Sequence, residues 1–225
     1  MAVPLAQAER AEARIERRAR IVGLELDPDL CRRLASYLSL LCHWNRRINL
    51  AAFDDADKAI DRLIIEPLLA VQWVPADAAS LIDIGSGGGS PAIPLRLALP
   101  RLAVVMVEAR VRKAAFLREA SRRLSLKDVR VERARFEDLA RDPDFAGRMD
   151  LLTIRAVRVG TPQLHGLQNF LRPGGLLLWF RGQADEDRIP DVPVLQVAAE
   201  GALVPALGSR LLVLRKVNVP RGTVE

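Results

Sequence analysis

The sequence predicts an α/β protein in which a helical cap precedes a mostly parallel, doubly wound sheet of seven strands. Three observations predict it. From Leu81 onward, short apolar runs alternate with helical segments, the pattern of parallel strands covered on both faces. Before Leu81 the only periodicity is helical. The last two apolar runs follow one another with no helix between them, which predicts an antiparallel hairpin at the edge of the sheet.

Each element has its own signal. Residues 5–22 combine helix formers with alternating charges, consistent with a solvated helix. Asp27-Pro28 supplies an N-cap and a first-turn proline, and Leu30, Leu34, Leu38 and Leu41 follow at helical spacing to about Asn45. A further helix is expected over about 57–73. The strands read as 81–84 (LIDI), 103–109 (AVVMVEA), 129–133 (VRVER), 150–156 (DLLTIRA) and 175–182 (GLLLWFRG), then 194–200 and 210–217 for the hairpin. Helices are expected at 91–99, 111–124, 137–141 and 162–171. Residues 1–79 thus form the cap and 80–225 the core of one integrated unit.

At 225 residues and 50% apolar, the chain can bury a sizeable core. No apolar run approaches the ~18 residues of a membrane span, and Met1–Arg20 lacks the apolar stretch of a secretory signal. No membrane partner is expected, and the location expected is cytoplasmic. Cys31 and Cys42 lie eleven residues apart on one helix, too far to bridge. They read as small core residues of a reduced protein, and no metal site is expected. The net charge is +6, and 30 of the 34 cationic residues are arginine. A positive excess of forked guanidinium groups favours a polyanion such as nucleic acid, although a GC-rich genome produces the same bias.

The stretch SLIDIGSGGGSPAIPLRLALP, residues 80–100, carries the strongest functional signal. It ends a strand at Ile84 and gives up side chains at Gly85, Gly87 and Gly89 before a helix begins. In open α/β sheets ligands bind beyond the carboxyl ends of the strands, where glycine lets backbone come close. A tight turn alone would also explain the glycines. Three neighbours favour a ligand: Asp83 two residues before the loop, Glu108 about twenty residues beyond it, where a carboxylate meets ribose hydroxyls, and Phe136-Glu137 after the third strand, where an adenine would rest.

No Gly-Lys-Ser/Thr follows the loop, which excludes a P-loop. Residues 87–92 fit a relaxed G-x-G-x-x-A fingerprint, so a nicotinamide oxidoreductase stands as an alternative. Against it, Asp-x-Gly-x-Gly-x-Gly fits an S-adenosylmethionine loop better, with Asp83 beside the methionine end. Pro91 and Pro94 also disturb the clean helix start that a pyrophosphate favours, and no substrate domain follows the sheet.

A seven-stranded sheet with a late reversed strand resembles the Class I methyltransferase fold. Five features then occur in one order: Trp44-Asn45-x-x-Ile48-Asn49-Leu50, the block Asp83-Ile84-Gly85-Ser86-Gly87-x-Gly89-x-Pro91-x-Ile93-Pro94-Leu95, Arg112-Lys113-x-x-Phe116-Leu117, Arg155-Ala156 and Gly182-Gln183. Together, over roughly residues 30–217, they resemble the bacterial small-subunit rRNA guanine-N7 methyltransferases, also called glucose-inhibited division protein B. The resemblance implies a cytoplasmic enzyme that uses S-adenosylmethionine to methylate N7 of a guanine in 16S rRNA, and a monomer is expected. It also implies cofactor contacts from Gly85, Ser90, Phe136, Glu137 and Arg155, with Glu108 on the ribose; Asp83, Ser86, Gly87 and Gly89 of the loop are expected on the cofactor side as well. A non-catalytic RNA-binding relative is a further alternative.

The sequence departs from that family on the substrate side. Arg62-Leu63-Ile64-Ile65-Glu66-Pro67 stands where Arg-His-x-x-Asp-Ser is usual, Ser90 replaces an aromatic residue or leucine, Ala92 a glycine, and Arg181 a lysine. Guanine N7 offers a lone pair and no proton, so the reaction needs alignment and no catalytic acid, base or nucleophile. Consistent with this, no Asn/Asp-Pro-Pro-Tyr follows the fourth strand and no cysteine lies near the site. Residues expected on the RNA side are Trp44, Asn45, Arg46, Arg47, Asn49, Arg62, Arg112, Lys113 and Arg181. Trp44 has packing of the cap as its other reading, and His43 and His165 read as structural or surface residues.

Overall fold

The computed structural model describes residues 5–51, 55–157, 159–182 and 191–218, so Gln183 lies outside the described residues. Helix α1 (Leu5–Ile21) packs against α2 (Pro28–Asn45). Asp27 caps α2 by accepting from the N–H groups of Asp29 (2.9 Å) and Leu30 (3.2 Å), with Pro28 in the first turn. Its apolar stripe buries Leu34, Tyr37, Leu38 and Leu41.

The single helix expected over 57–73 is broken into pieces. A short α3 (Ala56–Ile60) passes into a π-helical turn (Asp61–Ile65), then α4 (Glu66–Ala70) and a 3₁₀ turn (Val71–Trp73). Pro67 explains the irregularity, because it cannot donate to the carbonyls four or five residues behind it.

The sheet runs β1 (Ser80–Ile84), β2 (Ala103–Val107), β3 (Val129–Glu132), β4 (Met149–Arg155), β5 (Leu171–Arg181), β6 (Leu195–Ala202) and β7 (Arg210–Lys216), in the order β3-β2-β1-β4-β5-β7-β6. The first five strands are mutually parallel, and β7 runs antiparallel between β5 and β6. This is the late reversed strand expected of the sequence. The connecting helices are α5 (Ala92–Ala98), α6 (Val111–Arg123), α7 (Phe136–Leu139) and α8 (Thr161–Leu167). The helix expected to reach 171 stops at Leu167, and β5 begins earlier than expected, at Leu171. Gly175 permits this: a Cβ there would sit 3.0–3.1 Å from the carbonyl oxygens of Arg172, Met149 and Asp150, next to a register irregularity in β4.

Alternation along the strands divides the core. Leu81, Leu151, Leu176 and Leu178 face the cap with Leu34, Tyr37, Ile64, Ile93 and Phe116, whereas Ile82, Leu152 and Leu177 face α8 with Phe170. The cap therefore shares a continuous core with the sheet. It is held over the carboxyl ends of β1 and β4, where the glycine loop emerges.

Candidate functional site

The loop after β1 is built around positive φ. Gly85, Gly87 and Gly89 have φ of +73°, +50° and +86°. A Cβ at Gly89 would lie 2.5 Å from Ile93 Cδ1, and one at Gly85 2.9 Å from Val157 Cγ2. Gly87 differs, because its absent Cβ would meet only Gly85 O at 3.6 Å and Lys113 Nζ at 3.9 Å. Gly85 and Gly89 are thus glycines for packing, while a side chain at Gly87 would make only ordinary contacts. The N–H groups of Gly85 (2.9 Å) and Ser86 (3.1 Å) donate to Val107 O, and Ser86 Oγ donates to Asp83 O (3.0 Å). From α2, the hydroxyl of buried Tyr37 donates to Gly88 O at 2.6 Å and clamps the loop to the cap.

Two carboxylates anchor the loop. Asp83 is 1% exposed; its Oδ1 accepts from Thr153 Oγ1 at 2.6 Å, while Oδ2 has no hydrogen-bond partner among the described residues. Burial pushes its carboxyl above the usual range, against the opposing pull of Thr153 and Arg155. Glu108, just past β2, accepts from the N–H of Gly87 (3.0 Å) and of Arg110 (2.8 Å). Each oxygen retains a lone pair for a further donor.

Arg155 ends β4 beneath the cap. Its Nη2 lies 2.8 Å from Glu66 Oε2, its Nη1 donates to Ser90 Oγ (3.0 Å) and to the carbonyl of Arg62, and its guanidinium stacks 4.6 Å from the Phe180 ring centre. Burial lowers the guanidinium from its ordinary range and raises the Glu66 carboxyl, each opposed by the charge of the other. Ser90 Oγ donates in turn to Leu63 O at 2.8 Å. Pro67 accounts for that geometry: without an N–H at 67, the carbonyls of Arg62 and Leu63 lack a helical partner from that position, and Arg155 and Ser90 supply donors instead. Leu63, Glu66, Pro67 and Ser90, four of the positions at which the sequence departs from the family it resembles, therefore lie together around the hydrogen bonds of Arg155 and Ser90.

The remaining expected residues fall in separate places. Phe136 and Glu137 open α7 and line a cavity of about 250 Å³ shared with Pro162, Gly166 and Asn169 of the α8 region. Trp44, Arg47 and Arg112 line another of about 330 Å³ between the end of α2 and the start of α6. Lys113 turns away from it toward Gly87. Asn45 closes the turn after α2: its Oδ1 accepts from the N–H of Leu50 (2.7 Å) and Ala51 (3.0 Å), and its Nδ2 donates to Ala51 O (2.9 Å). Arg46, Asn49 and Arg62 are exposed, whereas Arg181 is buried with its guanidinium 5.0 Å from the Trp179 ring centre.

A family model described as rRNA small subunit methyltransferase G matches residues 30–198. The chain belongs to the rRNA small subunit methyltransferase G family. Relatives bearing the name Ribosomal RNA small subunit methyltransferase G include a protein of Stenotrophomonas maltophilia, 41% identical over 77% of this chain and 79% of its own length. Another, from Halorhodospira halophila, is 36% identical over 82% of this chain and 85% of its own. A third, from a Roseiflexus species, is 36% identical over 90% and 83%. Among solved structures, an O-methyltransferase from Bacillus cereus in complex with SAH superposes with a TM-score of 0.62 at 18% identity, covering 93% of this chain and all of its own. A putative O-methyltransferase from Klebsiella pneumoniae gives 0.58 at 18% identity, covering 94% and 99%. The fold is that of Class I methyltransferases.

Tyr37, Thr153 and Glu66 bond to residues of the candidate site, although no motif in the sequence marks them as site residues. Tyr37 is the chain's one tyrosine, set in a leucine-rich helix. That isolation was the available signal, but helical spacing makes it look like core. Thr153 was hidden inside an apolar strand, and Glu66 was visible only as a departure.

Proposed function

We propose that the protein transfers the methyl group of S-adenosylmethionine to N7 of a guanine in small-subunit (16S) rRNA. The observation that carries the proposal is the buried carboxylate of Asp83, which has one oxygen without a partner directly under a loop of three positive-φ glycines. Such an orphaned buried oxygen calls for a donor, and the methionine end of S-adenosylmethionine carries an ammonium. The residues present fit that cofactor. Asp83 and the Gly85–Gly89 backbone with Ser86 would hold the methionine end. Glu108 would take the ribose hydroxyls with its remaining lone pairs, and Phe136-Glu137 the adenine.

When bound, the cofactor supplies an electrophilic methyl group on a sulfonium. The protein's part is alignment. Arg155 and Ser90 join the cap to the loop and so act on the cofactor by positioning. Trp44, Arg46, Arg47, Asn49, Arg62, Arg112 and Lys113 would meet the RNA, with Asn45 fixing the turn that presents several of them, whereas Arg181, expected on the RNA side, is buried against Trp179. We take the protein to act as a cytoplasmic monomer without a membrane partner.

Transfer of tritiated methyl from S-adenosylmethionine to 16S rRNA that lacks the modification tests the reading. Label should enter RNA and map to N7 of one guanine. Label at another atom, or calorimetric binding of NAD(H) in preference to S-adenosylmethionine, would overturn it.

A further inference from the structure

The cavity between the end of α2 and the start of α6 is not explained by cofactor binding. Its walls are mostly apolar, from Trp44, Ile48, Val111 and Ala115, with His43, Arg47 and Arg112 also lining it. It shares no residue with the glycine loop, Glu108 or Arg155. At about 330 Å³ it lies at the low end of the ~300–1,000 Å³ range of small-ligand sites. Trp44 is held in place by an edge contact with Phe116, centroids 5.8 Å apart and planes at 63°.

Among the described residues neither arginine is engaged elsewhere, in contrast to arginines at the far end of α6 and on β3. Arg122 and Arg123, at the far end of α6, are paired with Glu119, and Arg130 with Glu132. Among the described residues the side chains of Arg47 and Arg112 have no ion pair or hydrogen bond. Arg112 and Lys113 also occupy the first turn of α6, which has no acidic residue, and there cations oppose the helix dipole. Helix stability therefore does not account for them. Val111 at the rim is 60% exposed.

We infer that this cavity is an accessory nucleotide pocket. It takes one unpaired base of the RNA, distinct from the base that is methylated, against Trp44, and its phosphate between Arg47 and Arg112. A pre-ordered aromatic face beside two unpaired guanidinium groups is the chemistry that holds a splayed single-stranded nucleotide. The first turn of α6 separates this pocket from the glycine loop: Arg112 faces the pocket and Lys113 reaches Gly87 on the other side. One strand of RNA anchored here is thereby led past the cofactor. The inference rests on the RNA methyltransferase reading.

Ala115→Trp fills the cavity, and the double variant Arg47→Gln/Arg112→Gln removes its charges. The probe is a fluorescein-labelled single-stranded fragment of 16S rRNA, followed by anisotropy, with S-adenosylmethionine affinity measured by calorimetry as the check on folding. Both variants should bind the fragment about ten- to hundredfold more weakly, as expected for a lost base stack or phosphate grip, with cofactor affinity within about twofold of the parent. Should Ala115→Trp also lose the cofactor, the charge variant decides. RNA affinity unchanged within about twofold in the deciding variant overturns the pocket. So does competition by poly-glutamate as effective as by RNA, which would make the site an acidic-protein dock. If wild-type protein transfers no methyl to rRNA yet these variants lose RNA binding, the activity reading fails and the pocket stands.

Discussion

Replacing Glu66 with glutamine should destabilise the protein, because it removes one half of a buried ion pair. Glu66 is 4% exposed, and its carboxylate sits 2.8 Å from an Arg155 side chain that is 16% exposed. Taken between the contacting atoms at an effective dielectric of about 20, their attraction is on the order of 6 kcal/mol. Burial works against it: the Glu66 carboxyl is raised and the Arg155 guanidinium lowered, so each charge depends on the other. The pair as a whole is therefore near neutral for stability, but half of it is not. Removing the carboxylate leaves Arg155 charged under the cap, which costs about 3–5 kcal/mol for buried pairs in general. Arg155 keeps Ser90, the Arg62 carbonyl and Phe180, which places the expectation near the lower end, about 3 kcal/mol. For a chain of this size that is a fall in Tm of roughly 6–12 °C. Urea unfolding followed by tryptophan fluorescence measures it, with Glu66→Leu/Arg155→Met as the companion. The double variant should recover most of the loss, because both desolvation penalties vanish together. A loss below about 1 kcal/mol for Glu66→Gln, or a double variant no better than the single, would refute the reasoning.

Three further outcomes follow from the loop, the sheet and the charge. Gly89→Ala should lose about 2–4 kcal/mol, since the new Cβ meets Ile93 Cδ1 at 2.5 Å with φ at +86°, whereas Gly87→Ala should lose only about 1–2 kcal/mol of stability but most of the cofactor affinity; equal urea midpoints for the two would contradict this. Asp150 accepts from Arg172, Ser80 Oγ and the N–H groups of Ala79 and Ser80, which together outweigh its burial and hold its carboxyl down at about 2. A depressed carboxyl contributes stability that is complete above about pH 4 and fades as pH falls toward 2, about 1–2 kcal/mol after allowance for solvent, so Asp150→Asn should flatten the stability curve across that window and shows the argument wrong if the curve is unchanged. RNA affinity should fall with salt at a log–log slope near −0.7 per phosphate neutralised while cofactor affinity stays level, and a flat RNA response would reduce the arginine excess to genome composition.

The sheet was legible because each strand carries its own signal: apolar runs of four to seven residues, separated by helical segments, admit few arrangements once crossovers must be right-handed. The glycine loop was legible because three glycines at alternate positions between a strand and a helix mark a turn with backbone in the left-handed region. Its division of labour was not, since composition cannot distinguish Gly89, closed against Ile93, from Gly87, open toward Lys113. The side chains that come from distant segments were the least visible. Tyr37 reaches Gly88 across 51 residues, and Thr153 reaches Asp83 across 70. Arg155 could be placed at a strand end from the sequence, but its partners Glu66, Ser90 and the Arg62 carbonyl come from elements whose docking only the three-dimensional packing determines.

That packing gives meaning to residues which in the sequence looked like unrelated departures from a family pattern. Pro67 lacks the N–H that would serve Leu63 O in an α-helix or Arg62 O in a π-helix. Both carbonyls instead meet donors from the sheet side, Ser90 Oγ to Leu63 O at 2.8 Å and Arg155 Nη1 to Arg62 O. A leucine or aromatic residue at position 90 could not supply the first. The serine is therefore the complement of the proline, and the two should be energetically coupled. Ser90→Ala alone removes a donor from a carbonyl in a part-buried bond and an acceptor from Arg155, a loss of about 1–3 kcal/mol. Pro67→Ala restores an N–H at the position from which a helix would satisfy Leu63 or Arg62. In that background the same Ser90→Ala change should cost about 1 kcal/mol less. A double-mutant cycle from urea unfolding reads the difference directly, and cofactor calorimetry on the four proteins shows whether it is transmitted to the loop. Additivity within about 0.5 kcal/mol would mean that the serine and the proline act independently, and would refute the coupling.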